Sequence, residues 1–203
     1  MIMSGIYFSD EKDDEKKDKA PDALAEKFLK TRQILLSGEI NKELAENFNK
    51  QLLLLESDGN DPVYVYIDSP GGDVSAGFAI YDMIRFVSCP VVLVGNGLIA
   101  SAAALILLAV PKERRVGFAN SEYLIHQPLS GMRGTATEIL IHAENLTKTK
   151  AKINKIIADA TGKDVKQVEK DTDRDHWLDA EEAKEYGLIG KIIASRNELK
   201  EIK

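Results

Sequence analysis

Val91 to Val110, VVLVGNGLIASAAALILLAV, runs for 20 residues without a charged side chain. A stretch of that length either crosses a bilayer, for which about 20 apolar residues suffice, or forms the buried centre of a globular fold. Two glycines and an asparagine, Gly95-Asn96-Gly97, fall in the middle of it. They weaken a single spanning helix, whereas PVVLVG reads as a short buried strand and the residues after Gly97 as a separate buried helix. The segment is therefore expected to be core, with a membrane span the lesser reading. Its one hydroxyl, Ser101, then needs an explanation.

The rest of the composition agrees with a globular chain. The 203 residues are 44% hydrophobic and 30% charged, enough for one domain with its own core. Against 33 acidic residues stand 27 basic ones, for a formal charge of −6, and no basic patch is interleaved with aromatics. That balance argues against nucleic acid as a partner. Cys89 is the single cysteine, so no internal disulfide forms, and no Cys/His spacing suggests a metal; a reducing compartment fits. The opening MIMSGIYF lacks a basic n-region and runs directly into SDEKDDEKKDK, a poor match to a secretory signal, so a cytoplasmic location with no membrane partner is expected.

Along the chain, residues 1–20 are expected to form a charged, mobile arm, because residues 9 to 19 are almost wholly charged and offer little apolar surface to bury. From residue 21 to 203 a single domain is expected. DALAEKFLK turns helical, QILLSG reads as a strand, and KELAENFNKQLLLLES repeats apolar positions at helical spacing. VYVYID follows as a strand, SAGFAIYDMIRFV as a helix, VVLV as a strand, and the run after Gly97 as a helix. Alternation of strand and helix predicts α/β layers. RVGFA and EYLIH add short strands before a long helix from about Thr135 to Ala160, with Ala136, Ile139, Leu140, Ala143, Leu146, Ile153 and Ile157 on one side. Asp179 with Glu182 forms a capping box, Gly187 suits a helix C-terminus, and LIGKII reads as the last strand.

Several groups could do chemistry. In DSPGGDVSAG a strand ends and two glycines precede a helix, a turn that can expose backbone N–H groups where negative charge develops; it equally suits a plain strand-to-helix connection. It matches neither dinucleotide-binding nor phosphate-cradling glycine patterns, and neither occurs elsewhere, so this chain is not expected to hydrolyse ATP. Ser101 lies among alanines, early in its expected helix, where a small hydroxyl is commonly just bonded to the preceding turn. Of the three histidines, His142 and His176 suit packing or surface positions, while His126 projects where a strand becomes a loop. Among 33 acidic residues no physical rule selects one partner for it.

SPGG at 69 to 72, IYD at 80 to 82, AS at 100 to 101, IHQP at 125 to 128, GTATEI at 134 to 139 and EKDTDRDHWLDAEEAKEYGLI at 169 to 189 together resemble the ClpP family, the proteolytic subunits of ATP-dependent Clp proteases. The resemblance is collinear from about Arg32 to Ala194. It implies a crotonase-like α/β spiral of repeated β-β-α units with a long handle helix. It further implies a serine endopeptidase in which Ser101 is the nucleophile, His126 the general base and Asp175 its orienting carboxylate. The oxyanion donors fall on the main chain of Gly72 and Ala102. Ser130, Gly131 and Met132 fall in the handle segment that pairs with substrate, and Asp173 and Arg174 on a charged switch at the ring contact. Tyr64, Tyr66, Phe86, Val116 and Ile193 fall on the pocket that receives the unfoldase loop.

Two stacked heptameric rings, fed by a separate AAA+ unfoldase of the ClpX, ClpA or ClpC type, are the implied assembly, with unfolded polypeptides as substrates and no cofactor in the subunit itself. The chain departs from the family in its N-terminus, in Ala102-Ala103 where Met-Gly is usual, and in Ser130 where glycine is common. These departures keep open a weakly active or structural paralogue in a mixed ring. Acyl-CoA chemistry, the other business of crotonase-like folds, needs no Ser101, His126 and Asp175 together. A signal-peptide peptidase would need a lysine base and a membrane anchor.

Overall fold

The computed structural model describes residues 27–202; the charged arm expected over residues 1–20 lies outside them. Among the described residues seven strands form one sheet in the order β1-β2-β3-β4-β7, with β5 attached to β3 and β6 attached to β5. The strands are β1 (Gln33–Ser37), β2 (Val63–Ser69), β3 (Val91–Ala100), β4 (Arg115–Gly117), β5 (Glu122–Ile125), β6 (His176–Leu178) and β7 (Lys191–Ile192). All pairings are parallel except β5 with β6. Helices α1 (Lys42–Ser57), α2 (Val74–Phe86) and α3 (Ala102–Leu107) return the chain between or after the first strands. Further helices are α4 (Ala136–Thr161), α5 (Val165–Asp171), α6 (Ala180–Tyr186) and α7 (Arg196–Lys200). A largely parallel sheet layered with helices is the α/β architecture expected.

Alternation of side chains along a strand gives the sheet two apolar faces. Val63, Val65 and Ile67 of β2 and Val91 and Leu93 of β3 join the main core, with Phe48 and Leu52 of α1 and Ile80 and Ile84 of α2. Tyr64, Tyr66, Val92 and Val94, one residue out of phase, turn to the opposite face and pack with Val116, Ile193 and Leu199. α1 and α2 are each started by a side chain: Asn41 accepts from the Leu44 N–H at 2.9 Å and Asp73 from that of Ala76 at 2.7 Å. Every residue of α3 is buried, as an apolar-all-round helix requires.

Three sequence expectations change. The helix read from Gly97 begins only at Ala102: β3 continues through Leu98–Ala100, which pair with Glu122–Leu124 of β5. Apolar residues fit either state, and the neighbouring strand, which supplies backbone partners, decides. The final strand contracts from LIGKII to Lys191–Ile192, with Leu188 and Ile189 buried before it. The apolar stripe of α4 is buried only in its second half, at Ile153 and Ile157, while Ile139 and Leu140 are 45% and 71% exposed. The first turns of α4 extend past the body of the chain, so their apolar side has no intrachain surface to meet.

Most of the helix read over DALAEKFLK, residues 22–26, lies outside the described residues, and the capping signals behave as read. Thr135 and Glu138 form a capping box at the start of α4, Asp179 and Glu182 another at α6, and Gly187 closes α6 in the left-handed conformation at φ 97°.

Candidate active site

Strand register brings three distant residues together. The end of β3 runs parallel to β5 with Ala100 opposite Leu124, and the Ser101 N–H donates to the Leu124 carbonyl at 2.9 Å. β5 in turn pairs antiparallel with β6, Ile125 opposite His176, so the residue after β5 and the residue before β6 face each other. Those residues are His126 and Asp175. Ser101 thus stands one residue beyond a strand end, His126 one beyond the next, and Asp175 one before the third.

The side chains form a hydrogen-bonded chain. His126 Nδ1 lies 2.9 Å from Asp175 Oδ1, and His126 Nε2 lies 2.8 Å from Ser101 Oγ. A carboxylate only accepts, so Nδ1–H donates to Asp175; neutral imidazole then presents a lone pair at Nε2 to the Ser101 hydroxyl. The His126 side chain is 15% exposed and that of Asp175 61%.

Ser101 occupies the turn between β3 and α3 at φ 55°, ψ −118°, a conformation that non-glycine residues rarely hold. The turn is fixed from the side by Gly71. A Cβ there would lie 2.7 Å from both the Ala100 carbonyl oxygen and the Ser101 Cβ, and Gly71 itself sits at φ 90°. Gly72 is bridged to Ile40, whose N–H donates to Gly71 and whose carbonyl accepts from Asp73 at 2.7 Å. In a parallel bridge of this kind the Gly72 N–H points away from Ile40. The Ala102 N–H opens α3, in the first turn, where helical partners are missing. Ala102 and Ala103 are buried, with α3 running unbroken through both, and a Cβ at Gly77 of α2 would lie only 3.2 Å from the Ala102 methyl.

Two clefts flank this chain. One of about 390 Å³ reaches from Gly72 between α2 and α4, lined by Val74, Phe78, Leu129 and Leu146 together with His142 and Thr149. Another of about 360 Å³ is lined by His126, Gln127, Leu129, Asp173, Arg174 and Asp175. Ser130, Gly131 and Met132 are exposed on the segment leading into α4, and Ser130 lines the first cleft. Ser130 Oγ is 2.8 Å from His142 Nε2. Ser130 therefore ties this segment to the long helix.

Lys150 belongs to the site but gives no signal of its own in the sequence, and Gln127 stands out only as part of IHQP. The Gln127 N–H donates to the Thr172 carbonyl at 2.6 Å and its amide to the Asp173 carbonyl at 2.7 Å. Lys150 of α4 donates to the Gln127 side chain at 2.9 Å and lies 3.6 Å from the Asp173 carboxylate. Thr172, fully buried, donates to Asn154 Oδ1 at 2.9 Å. The loop that carries Asp173, Arg174 and Asp175 is thus tied to α4 and to the residue after His126. Of the five pocket residues, Tyr64, Tyr66, Val116 and Ile193 come together on the second face of the sheet; Phe86, 77% exposed at the end of α2, does not join them within one chain.

Among the described residues no cluster of three or more His, Cys, Asp or Glu side chains could hold a metal ion, and no helix is long and apolar enough to cross a membrane. A family model described as Clp protease matches residues 15–196. The chain is 61% identical over 199 residues to the ATP-dependent Clp protease proteolytic subunit 2 of Treponema denticola, covering 97% of this chain and all of that protein. It is 41% identical over 176 residues to proteolytic subunit 2 of Pseudomonas aeruginosa, covering 87% and 88% of the two chains. A substituted ClpP1 from Listeria monocytogenes superposes with a TM-score of 0.82 at 48% identity, over 87% of this chain and 99% of that one. With a family model spanning most of its length and relatives matched almost end to end, this chain belongs to the Clp protease family, among its ClpP proteolytic subunits.

Proposed function

We propose that this chain is a serine endopeptidase subunit in which Ser101 attacks the peptide carbonyl, His126 transfers the proton and Asp175 orients the imidazole. The observation that carries this reading is the unbroken chain Ser101 Oγ to His126 Nε2 at 2.8 Å and His126 Nδ1 to Asp175 Oδ1 at 2.9 Å.

A serine hydroxyl is a weak nucleophile at neutral pH. The Nε2 lone pair removes its proton as the Oγ–C bond forms, and the resulting imidazolium returns that proton to the leaving amine. Asp175 holds the tautomer and stabilises the imidazolium without itself taking the proton. The positive φ at Ser101 lifts its hydroxyl out of the line of β3 and toward the ring. The backbone N–H groups of Gly72 and Ala102 serve the oxyanion, and each such donor is worth on the order of 100-fold or more in turnover. Water then releases the acyl group by the same route in reverse, and no cofactor is needed in this subunit.

Substrate lies along Ser130, Gly131 and Met132 as an added strand. Pairing through main-chain bonds fits broad acceptance of unfolded polypeptides, and the cleft beyond Gly72 takes the side chain before the cut. The exposed apolar start of α4 supports assembly into stacked rings, with Asp173 and Arg174 at the ring contact beside Asp175. An ATPase of the AAA+ class supplies unfolded chain and docks on Tyr64, Tyr66, Val116 and Ile193, with Phe86 of an adjacent subunit.

Purified protein is expected to hydrolyse a fluorogenic peptide and to be labelled at Ser101 by a fluorophosphonate, with particle size followed by light scattering. A large particle that neither cleaves nor labels would defeat the reading in favour of a structural subunit.

A further inference from the structure

The second face of the sheet carries an apolar hollow that the chain fills with its own C-terminus. Val92 and Val94 of β3, Val116 of β4 and Ile193 make its floor, with Tyr64, Tyr66 and Phe118 around it. Leu199 of α7 is inserted among them and is 5% exposed, with Ile202 packed beside it. Nothing in the floor depends on α7, because every floor residue but Ile193 is held by a strand of the sheet.

What holds α7 apart from Leu199 and Ile202 is slight. It is five residues long, too short to be stable alone. Ser195 and Glu198 cap it, the Arg196 guanidinium donates to Gln33 Oε1 at 3.4 Å, and Lys191 lies 3.8 Å from both Glu198 and Glu201. Exposed pairs at such distances contribute little.

We infer that α7 is a displaceable occupant of this hollow, a self-supplied competitor for a partner loop that carries an aliphatic or aromatic anchor. The inference rests on the docking reading given above, which uses four residues of the same hollow. An incoming anchor replaces Leu199 in kind, so the apolar area buried changes little and the exchange is free to run in either direction. A tethered segment competes at an effective concentration of about millimolar. The occupied fraction therefore lowers the partner's apparent affinity in proportion.

The test uses the full chain, a chain ending at Ala194, and Leu199→Asp, which unseats α7 while keeping its length. The probe is a fluorescein-labelled peptide of residues 194–202. Saturable binding to the shortened chain, at least about tenfold weaker to the full chain, is expected; Leu199→Asp behaves like the shortened chain. In the second arm, the AAA+ Clp unfoldase of the same organism is titrated against casein degradation. Its half-saturating concentration falls severalfold for both variants, while hydrolysis of a small peptide without unfoldase is unchanged. Equal peptide binding to full and shortened chains, or no shift in the unfoldase titration, overturns the inference. Loss of unfoldase-dependent degradation from every form, with small-peptide cleavage intact, would instead sink the docking reading.

Discussion

Ser101 and Asp175 end the same hydrogen-bonded chain but are held in different ways. Ser101 follows a central strand, precedes a fully buried helix, and is approached so closely by Gly71 that a Cβ there would clash with it. Its unfavourable backbone angles persist because the surroundings over-determine them, as strain of roughly 1–3 kcal/mol requires. Asp175 sits on a loop with its side chain 61% exposed. It is held by the β5–β6 register and by the ties of Thr172 and Asp173 to Gln127, Lys150 and Asn154. Ser101 is thus held between core elements, while Asp175 is part of the rim. Rims loosen before cores do, so the rim is where this site can be switched off without unfolding.

The two settings respond to mutation differently. Ser101→Ala is expected to lower peptide turnover by on the order of 10⁴-fold or more, because no other group can form the acyl bond; fluorogenic peptide kinetics measure it. Asp175→Asn should lower kcat by about 10⁴-fold through the wrong imidazole tautomer, yet shift the melting free energy by less than about 0.5 kcal/mol, as for an exposed side chain. Similar stability losses for Asp175→Asn and for a core variant would break the comparison. Gly71→Ala is the core counterpart. Its methyl would meet the Ala100 carbonyl oxygen and the Ser101 Cβ at 2.7 Å, so a loss of about 2–4 kcal/mol in stability is expected by denaturant titration, with activity falling in parallel.

Lys150→Met sharpens the rim side. It removes the donor to Gln127 and should reduce kcat about tenfold, with KM unchanged and partial rescue by Lys150→Arg; a loss in KM alone would make Lys150 a substrate contact instead. The smallest effect concerns α7. Bonds from the Ser195 hydroxyl and the Ala194 N–H hold the Glu198 carboxyl below its ordinary value. Its folded pKa is depressed, so its stabilising contribution is complete above the unfolded value of 4.5 and is lost as pH falls through the folded one. Amide exchange in residues 196–202 should therefore accelerate on acidification before exchange in β2 or β3 does.

Elements with a long period were readable from the chain alone. α1 declares itself through Ala45, Phe48, Leu52 and Leu55, and the capping boxes at Thr135 and Asp179 mark helix starts without tertiary help. The position of Ser101 was not readable in this way. Leu98-Ile99-Ala100 suits helix or strand equally, and only pairing with Glu122–Leu124 decides. Asp175 was one carboxylate among 33, singled out by family resemblance and now placed opposite His126 by the antiparallel register, a long-range property. Gln127, Lys150 and the Ser130–His142 tie depend on how α4 lies across the loops, which local periodicity does not encode.

β3 changes neighbours midway. Leu93–Gly95 pair with β4 and Leu98–Ala100 with β5, and between them Asp68 accepts the Leu98 N–H at 3.1 Å. The crossover is clasped at both ends, so its span is fixed even where its side chains are not. Inserting or deleting one residue between Gly95 and Ala100 would turn every later position to the opposite side of the pleat, and the hydroxyl at the end would face inward. This stretch is held to its length, and at Gly95, where a Cβ would meet the Tyr123 hydroxyl, and Gly97, at φ 87°, to its composition as well.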